Sequence, residues 1–148
     1  MPDTDAWLLS DSSDFKCGKD AQQTRSGNDT VFLKSVVPRP KAFGSMQKEI
    51  EATHYAGKRI KMSALVKTEL PDGAAVQLWL RVDGEWKQRQ SECFDNMFNR
   101  RIKGLTDWQR HEVSVEVPAD SKKIVYGVLL DGTGCVWLDG ILIEECQS

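Results

Sequence analysis

Hydrophobic positions in this chain recur at every second residue, the period of a strand rather than of a helix. The clearest case is Gln77–Val82, QLWLRV. Leu78, Leu80 and Val82 fall on one face of a strand, and Gln77, Trp79 and Arg81 on the other. The apolar face reads as core. The opposite face sets an indole beside a guanidinium, an odd pair to leave in water unless something docks there. The same alternation runs through Ile60–Lys67, with Ile60, Met62, Ala64 and Val66 inward, and through His111–Val117, with Val113, Val115 and Val117 inward. Val31–Val37, Ala42–Glu51 and Cys135–Ile143 are further expected strands, the second placing Phe43, Ser45, Gln47 and Glu49 on one face. Ile124–Leu130 is almost continuously apolar, as a strand buried on both sides should be.

Turn residues separate these runs. Pro38 and Pro40 cannot donate to a ladder and end the first strand, and Pro118 stops the His111–Val117 strand. Pro71-Asp72-Gly73 joins a fixed φ to a residue that accepts positive φ. Asp83-Gly84 reads as a hairpin-type turn and Asp131–Gly134 as a tight one. Glu85–Lys103 reads as a long polar connection, of a length that tends to be functional in compact domains. Met1–Gly27 reads as a loop-rich entry anchored by Trp7, Leu8, Leu9 and Phe15. No segment sustains a 3.6-residue apolar period. The expectation is an all-β jelly-roll sandwich of two antiparallel sheets, forming a single domain over residues 1–148.

Composition narrows the function classes. A net charge of −2 supplies no basic field for a phosphate backbone, so no direct nucleic-acid partner is expected. No apolar run approaches the roughly 20 residues that span a bilayer. The acidic start MPDTDAWLLSDSSD does not resemble a signal peptide, which points to a cytoplasmic protein. Cys17, Cys93, Cys135 and Cys146 form no C-x-x-C pair and there are two histidines, so zinc-finger spacing is absent and reduced thiols are expected.

Five blocks occur in order: HYAGKRIKMSALVKT at His54–Thr68, FDNM at Phe94–Met97, RIKGLTDWQRHEVSVEVP at Arg101–Pro118, YGVLLDGTG at Tyr126–Gly134 and VWLDGILIEE at Val136–Glu145. Together they resemble a galactose-binding-like jelly roll of the carbohydrate-binding-module type. The resemblance is to domains appended to AraC-type transcriptional regulators or found alone in bacteria, and it runs from about Trp7 to Glu145. TDW and the closing V-W-x-D strand identify the fold, while the FDNM…IKG…DWQR block is more restrictive. Two features depart from the pattern. The chain carries no helix-turn-helix signal, so a regulatory role would need a DNA-binding partner. The usual D-D ending is here Asp139-Gly140.

The resemblance implies that the concave face of one sheet binds a carbohydrate or a small effector. On that face Trp79 would stack on a pyranose, with Arg81, Gln47, Asp95 and Asn96 as polar contacts. Arg101, in the cluster Arg100-Arg101-x-Lys103, would greet an anionic sugar such as a uronate. The structural alternative is that the Glu85–Lys103 connection covers Trp79 as a second small core, with Arg81 paired to Asp95 or Glu92. Trp137, sharing a face with Cys135, Asp139 and Ile141, reads as core packing. Trp108, in the turn before a strand, and Trp7 read as plugs, and Trp86 follows the Asp83-Gly84 turn. Such jelly rolls often hold a structural calcium, for which Asp3, Asp5, Asp11, Asp14 and Asp139 are the available carboxylates. No EF-hand spacing is present and solvated acidic loops explain the same residues, so no cofactor is expected. His54 and His111 are isolated and no serine sits in a nucleophile elbow. A non-catalytic ligand-binding module is therefore expected, with a protein-interaction or self-association module (a protein partner or a homodimer) as the alternative.

Overall fold

The protein is seen here as a computed structural model that describes residues 7–10, 13–20, 30–84 and 93–146. Its strands are β1 (Leu8–Leu9), β2 (Phe15–Lys19), β3 (Val31–Ser35), β4 (Gly44–Glu51), β5 (Lys58–Glu69), β6 (Ala75–Gly84), β7 (Phe94–Asp95), β8 (Leu105–Val117), β9 (Ser121–Asp131) and β10 (Cys135–Cys146). They pair antiparallel into two five-stranded sheets, ordered β1-β4-β9-β6-β7 and β2-β3-β10-β5-β8. This is the jelly-roll sandwich that the alternation predicts, with a 3-10 turn at Thr53–Tyr55.

The core forms where the inward halves of the alternating patterns meet. Leu78, Leu80 and Val82 of β6 face Ile60, Met62 and Val66 of β5 across the sandwich, all fully buried. Ile124, Val128 and Leu130 of β9 and Val136 and Leu138 of β10 complete it. Each such side chain contributes roughly 1.5–3 kcal/mol on leaving water. Central β9, between β4 and β6, is apolar on both faces as its composition requires: Val125, on the outer face, is buried as completely as Ile124.

The structure corrects the sequence reading in five places. The N-terminal entry holds β1 and β2: Leu8 and Leu9 pair with Gln47 and Met46, and Phe15 fills the core above Gly44, where an added Cβ would run into its ring. Asp83-Gly84 is no hairpin turn, because β6 continues through both. Of the Glu85–Lys103 connection, residues 85–92, with Trp86 and Glu92, lie outside the described residues. The remainder is an edge: β7 pairs with β6, and Ile102 bridges to Val76. Trp108 lies inside β8 rather than in a turn before it. In β10 a bulge between Asp139 and Leu142, with Gly140 at φ 59°, reverses the alternation. Ile141 and Ile143 then pack against the core, while Trp137 and Asp139 keep the outer face.

The open side of the sandwich, between β7 and β8, is closed by the FDNM block. Asp95 sits opposite Leu80, so its carboxylate turns toward the second sheet and accepts the Ser114 backbone N–H of β8 at 3.2 Å. It also accepts the Met97 N–H at 3.1 Å, and Asn96 Oδ1 accepts the Phe98 N–H at 3.1 Å. These side-chain bonds hold Met97 at φ 58°, a left-handed conformation that a non-glycine residue adopts only when local contacts compensate. The reward is burial of the Met97 side chain in the core.

No disulfide joins the four cysteines. The His111 imidazole, opposite Ala64, is held below its ordinary pKa of 6.5 by burial. The unfolded chain therefore takes up a proton that the fold resists, and the stability present above that value is lost as pH falls through the lower folded one. His111→Gln should flatten this part of a melting-temperature profile recorded from about pH 7 to about pH 5. At Gly127 an added Cβ would meet the Met46 carbonyl of β4, with the Gln47 Cα at 3.1 Å. Gly127→Ala should lower unfolding free energy by roughly 1–3 kcal/mol, measured by urea denaturation.

Candidate functional site

The outer face of the β1-β4-β9-β6-β7 sheet carries the unusual side chains. Register fixes which they are. Trp79 of β6 lies opposite Gly127 of β9, which lies opposite Gln47 of β4, which pairs with Leu8 of β1. One step along, Arg81 lies between Val125 and Phe94 of β7, with Glu49 beyond Val125. One step the other way, Gln77 lies opposite Leu129, which pairs with Ser45. Because Ile102 bridges Val76 on the core side, its neighbour Arg101 stands on this face beside Gln77.

Trp79 does not stand up from the sheet. Its Nε1–H donates to Ser45 Oγ at 3.1 Å, two strands away, so the indole must pass over β9 beside Gly127. The Arg81 guanidinium lies 5.7 Å from the indole centroid, within cation–π range. The indole is 7% exposed in consequence. Arg81 is itself fixed by a bidentate pair with Asp83, Nε to Oδ1 at 2.9 Å and Nη2 to Oδ2 at 3.0 Å. Asp95 is thus not the Arg81 partner: Asp83, two residues along the same face, is in reach and Asp95 points to the other side of the sheet, while Glu92 lies outside the described residues.

The six residues singled out from sequence divide accordingly. Gln47, Trp79, Arg81 and Arg101 share the outer face. Asp95 lies at its edge but faces the sandwich interior, paired with Arg100 at 3.0 Å. Asn96 meets the face through its backbone: its carbonyl accepts Gln77 Nε2 at 2.6 Å, while its side chain closes the turn. Arg101 donates through Nη2 to Asp131 Oδ2 at 2.6 Å. The basic cluster is therefore largely neutralised, with Arg100 on Asp95 and Arg101 on Asp131. Sequence reasoning placed Ser45 on the face with Gln47 without giving it a role, and missed Asp83 and Phe94. Asp83 was legible as a same-face neighbour of Arg81 in its own strand, whereas Phe94 required the β6–β7 pairing.

The opposite outer face is built differently. Trp137 Nε1 donates to Asp20 Oδ2 at 3.0 Å, and buried Asp139 accepts Thr30 Oγ1 at 3.1 Å. Asp14 accepts the Lys41 backbone N–H through Oδ2 at 3.1 Å. Asp3, Asp5 and Asp11 lie outside the described residues. Among the described residues no three His, Cys, Asp or Glu side chains converge as a metal site. Toward the far end of this face Arg59 pairs with Glu116 and Lys61 with Glu112 and Glu144, while Lys58 and Glu145 pair at the rim on the Ile60 side of the sheet. Such exposed pairs contribute about 0–1 kcal/mol each. Burial, opposed by Lys34 and reinforced by Glu69 and Asp20, pushes the Cys135 thiol up to about 12, so it stays protonated at neutral pH and is a poor nucleophile. Among the described residues no helix is long and apolar enough to cross a membrane.

No family model matches the chain. The chain is 36% identical over 145 residues to an uncharacterised HTH-type transcriptional regulator, YbfP, of Bacillus subtilis. The match covers 96% of this chain and 48% of the regulator, so the chain spans about half the length of the curated relative it matches. Among solved structures it superposes on the enzymatically active domain of the bacteriophage CBA120 tailspike protein 4, with a TM-score of 0.67 and 11% identity, over 97% of this chain and 20% of that one. It also superposes on the CBM22-1 xylan-binding domain of Paenibacillus barcinonensis Xyn10C, with a TM-score of 0.62 and 15% identity, over 96% of this chain and 86% of that domain. At such identities the likeness is one of fold alone, a jelly roll that carbohydrate-binding modules such as CBM22-1 share.

Trp79 is a structural member of this face. Trp79→Phe should cost about 1 kcal/mol, the net worth of its hydrogen bond to Ser45. Trp79→Ala should cost about 3–5 kcal/mol. Both are read from the midpoint of urea unfolding followed by circular dichroism.

Proposed function

We propose that this jelly roll is a non-catalytic carbohydrate-binding module whose ligand lies on the outer face of the β1-β4-β9-β6-β7 sheet. The observation that carries the reading is the superposition on a whole xylan-binding domain, over 96% of this chain and 86% of that domain. The composition of the face supports it: Gln47, Arg81 and Arg101 offer donors and acceptors for hydroxyls, over a floor made by Trp79, with Asp95 and Asn96 shaping its β7 edge. Sugar sites combine apolar surface with a few placed polar groups, and this face has both. The likeness to half of a regulator adds a context. In such a protein the bound sugar would be an effector in the cytoplasm, and DNA would be contacted by a separate segment or partner.

A second reading, self-association or binding of another protein, draws on Phe98 and Leu105, which are 77% and 81% exposed on the β7–β8 side. Light scattering across a concentration series separates the two: an interaction module gains mass with concentration, a sugar module does not.

The sugar reading is tested by thermal shift against neutral and anionic mono- and oligosaccharides. A ligand present at about 100 times its Kd stabilises the native state by about 2.7 kcal/mol and raises the melting temperature. A shift with one sugar class supports the reading, and no shift across the panel overturns it.

A further inference from the structure

The residue that sequence reasoning assigned to sugar stacking is not the one positioned for it. Trp79 lies along the sheet with Arg81 over its ring and Ser45 at its Nε1. A pyranose could reach the indole only by drawing Arg81 away from both of its hydrogen bonds to Asp83. Phe94 stands otherwise. β7 pairs it directly with Arg81, so its ring emerges on the same outer face, and cross-strand partners hold their Cβ atoms about 4.5–5.5 Å apart. Phe94 is 40% exposed. It is anchored on both sides in sequence: Cys93 is fully buried, and Asp95 is tied to Ser114, Met97 and Arg100. The ring is therefore exposed on a fixed support, where holding a sugar costs little ordering entropy.

Arg81 completes the arrangement. Asp83 takes its Nε and Nη2, the edge of the guanidinium nearer the backbone stem. Nη1 makes none of these bonds, and its N–H groups point from the other edge. We infer that Phe94 and Arg81 form a sugar subsite, in which the Phe94 ring stacks on the apolar face of a neutral pyranose and Arg81 Nη1 donates to one of its oxygens. This rests on the carbohydrate-binding reading and specifies its ligand class. Neutrality follows from the ion pairing. Asp83 cancels the charge of Arg81, Asp131 that of Arg101 and Asp95 that of Arg100. Among the described residues, a uronate carboxylate entering beside Arg81 meets no uncompensated cation, and it approaches Asp83. The selectivity is thus against the anionic sugars that the basic cluster suggested.

The test is isothermal titration of the full chain with xylohexaose, β-1,4-galactotriose and an oligogalacturonide, for the wild type, Phe94→Ala and Phe94→Trp. The expected result is that a neutral oligosaccharide binds and the oligogalacturonide binds no more tightly. Phe94→Ala should weaken the neutral ligand at least about tenfold, as loss of a stacking anchor does, while leaving the melting temperature nearly unchanged. Phe94→Trp should retain binding. Unchanged affinity in Phe94→Ala, or a preference for the oligogalacturonide, overturns this inference and leaves the carbohydrate-binding reading standing. No binding of any of the three by the wild type overturns both.

Discussion

The passage of the Trp79 indole over Gly127 is the constraint on which the outer face depends. Three strands take part. β6 supplies the ring, β9 supplies the gap, and β4 supplies the hydroxyl that receives Nε1–H. Gly127 is required by β4, whose main chain comes close enough to exclude a Cβ there. An indole buries a large apolar area, so this crossing does on the outer face what the core does between the sheets. With Trp79 flat, the guanidinium of Arg81 has an aromatic floor, and Asp83 fixes its in-plane orientation. The polar groups of the face are therefore held in position before any ligand arrives.

Charge on this face is balanced locally rather than globally. Among its described residues Arg81 and Arg101 each find an aspartate, and Lys123 finds Glu49. Such a surface offers directed donors and acceptors with little net field, which suits hydroxyls better than ions. The same economy appears at the β7–β8 side, where one carboxylate, Asp95, meets Arg100, caps the Met97 turn and bonds the β8 backbone. The FDNM block is thus explained by closure of the sandwich as much as by any ligand. It sets Phe94 outward from β7 and Met97 inward from the turn that follows.

Much of the fold was legible because alternation is a local signal. The seven longest runs reappear as β3, β4, β5, β6, β8, β9 and β10, and their inward residues form the core. What escaped was short or broken. β7 is two residues long, too brief to show a period, and β2 alternates Phe15 and Cys17 with lysines and a glycine in a stretch that composition marks as loop. Ile141 was assigned to the wrong face because one bulged residue at Gly140 shifts everything after it, and period-2 reasoning cannot register a bulge.

Sequence by itself determined the strand class, the two-sheet architecture, the core positions and the adjacency of Trp79 and Arg81, since each depends on residues within one strand. Tertiary structure decided what those side chains do. Whether an indole is a platform or a floor depends on Gly127 and Ser45, and they come from two other strands. Whether an arginine is charged toward a ligand or neutralised depends on its partner: Asp83 lies in the same strand as Arg81, but Asp131 lies 30 residues from Arg101. Whether Phe94 shares a face with Arg81 depends on a register set by long-range pairing. Period and composition act over a few residues, whereas register is fixed only when the whole sheet closes.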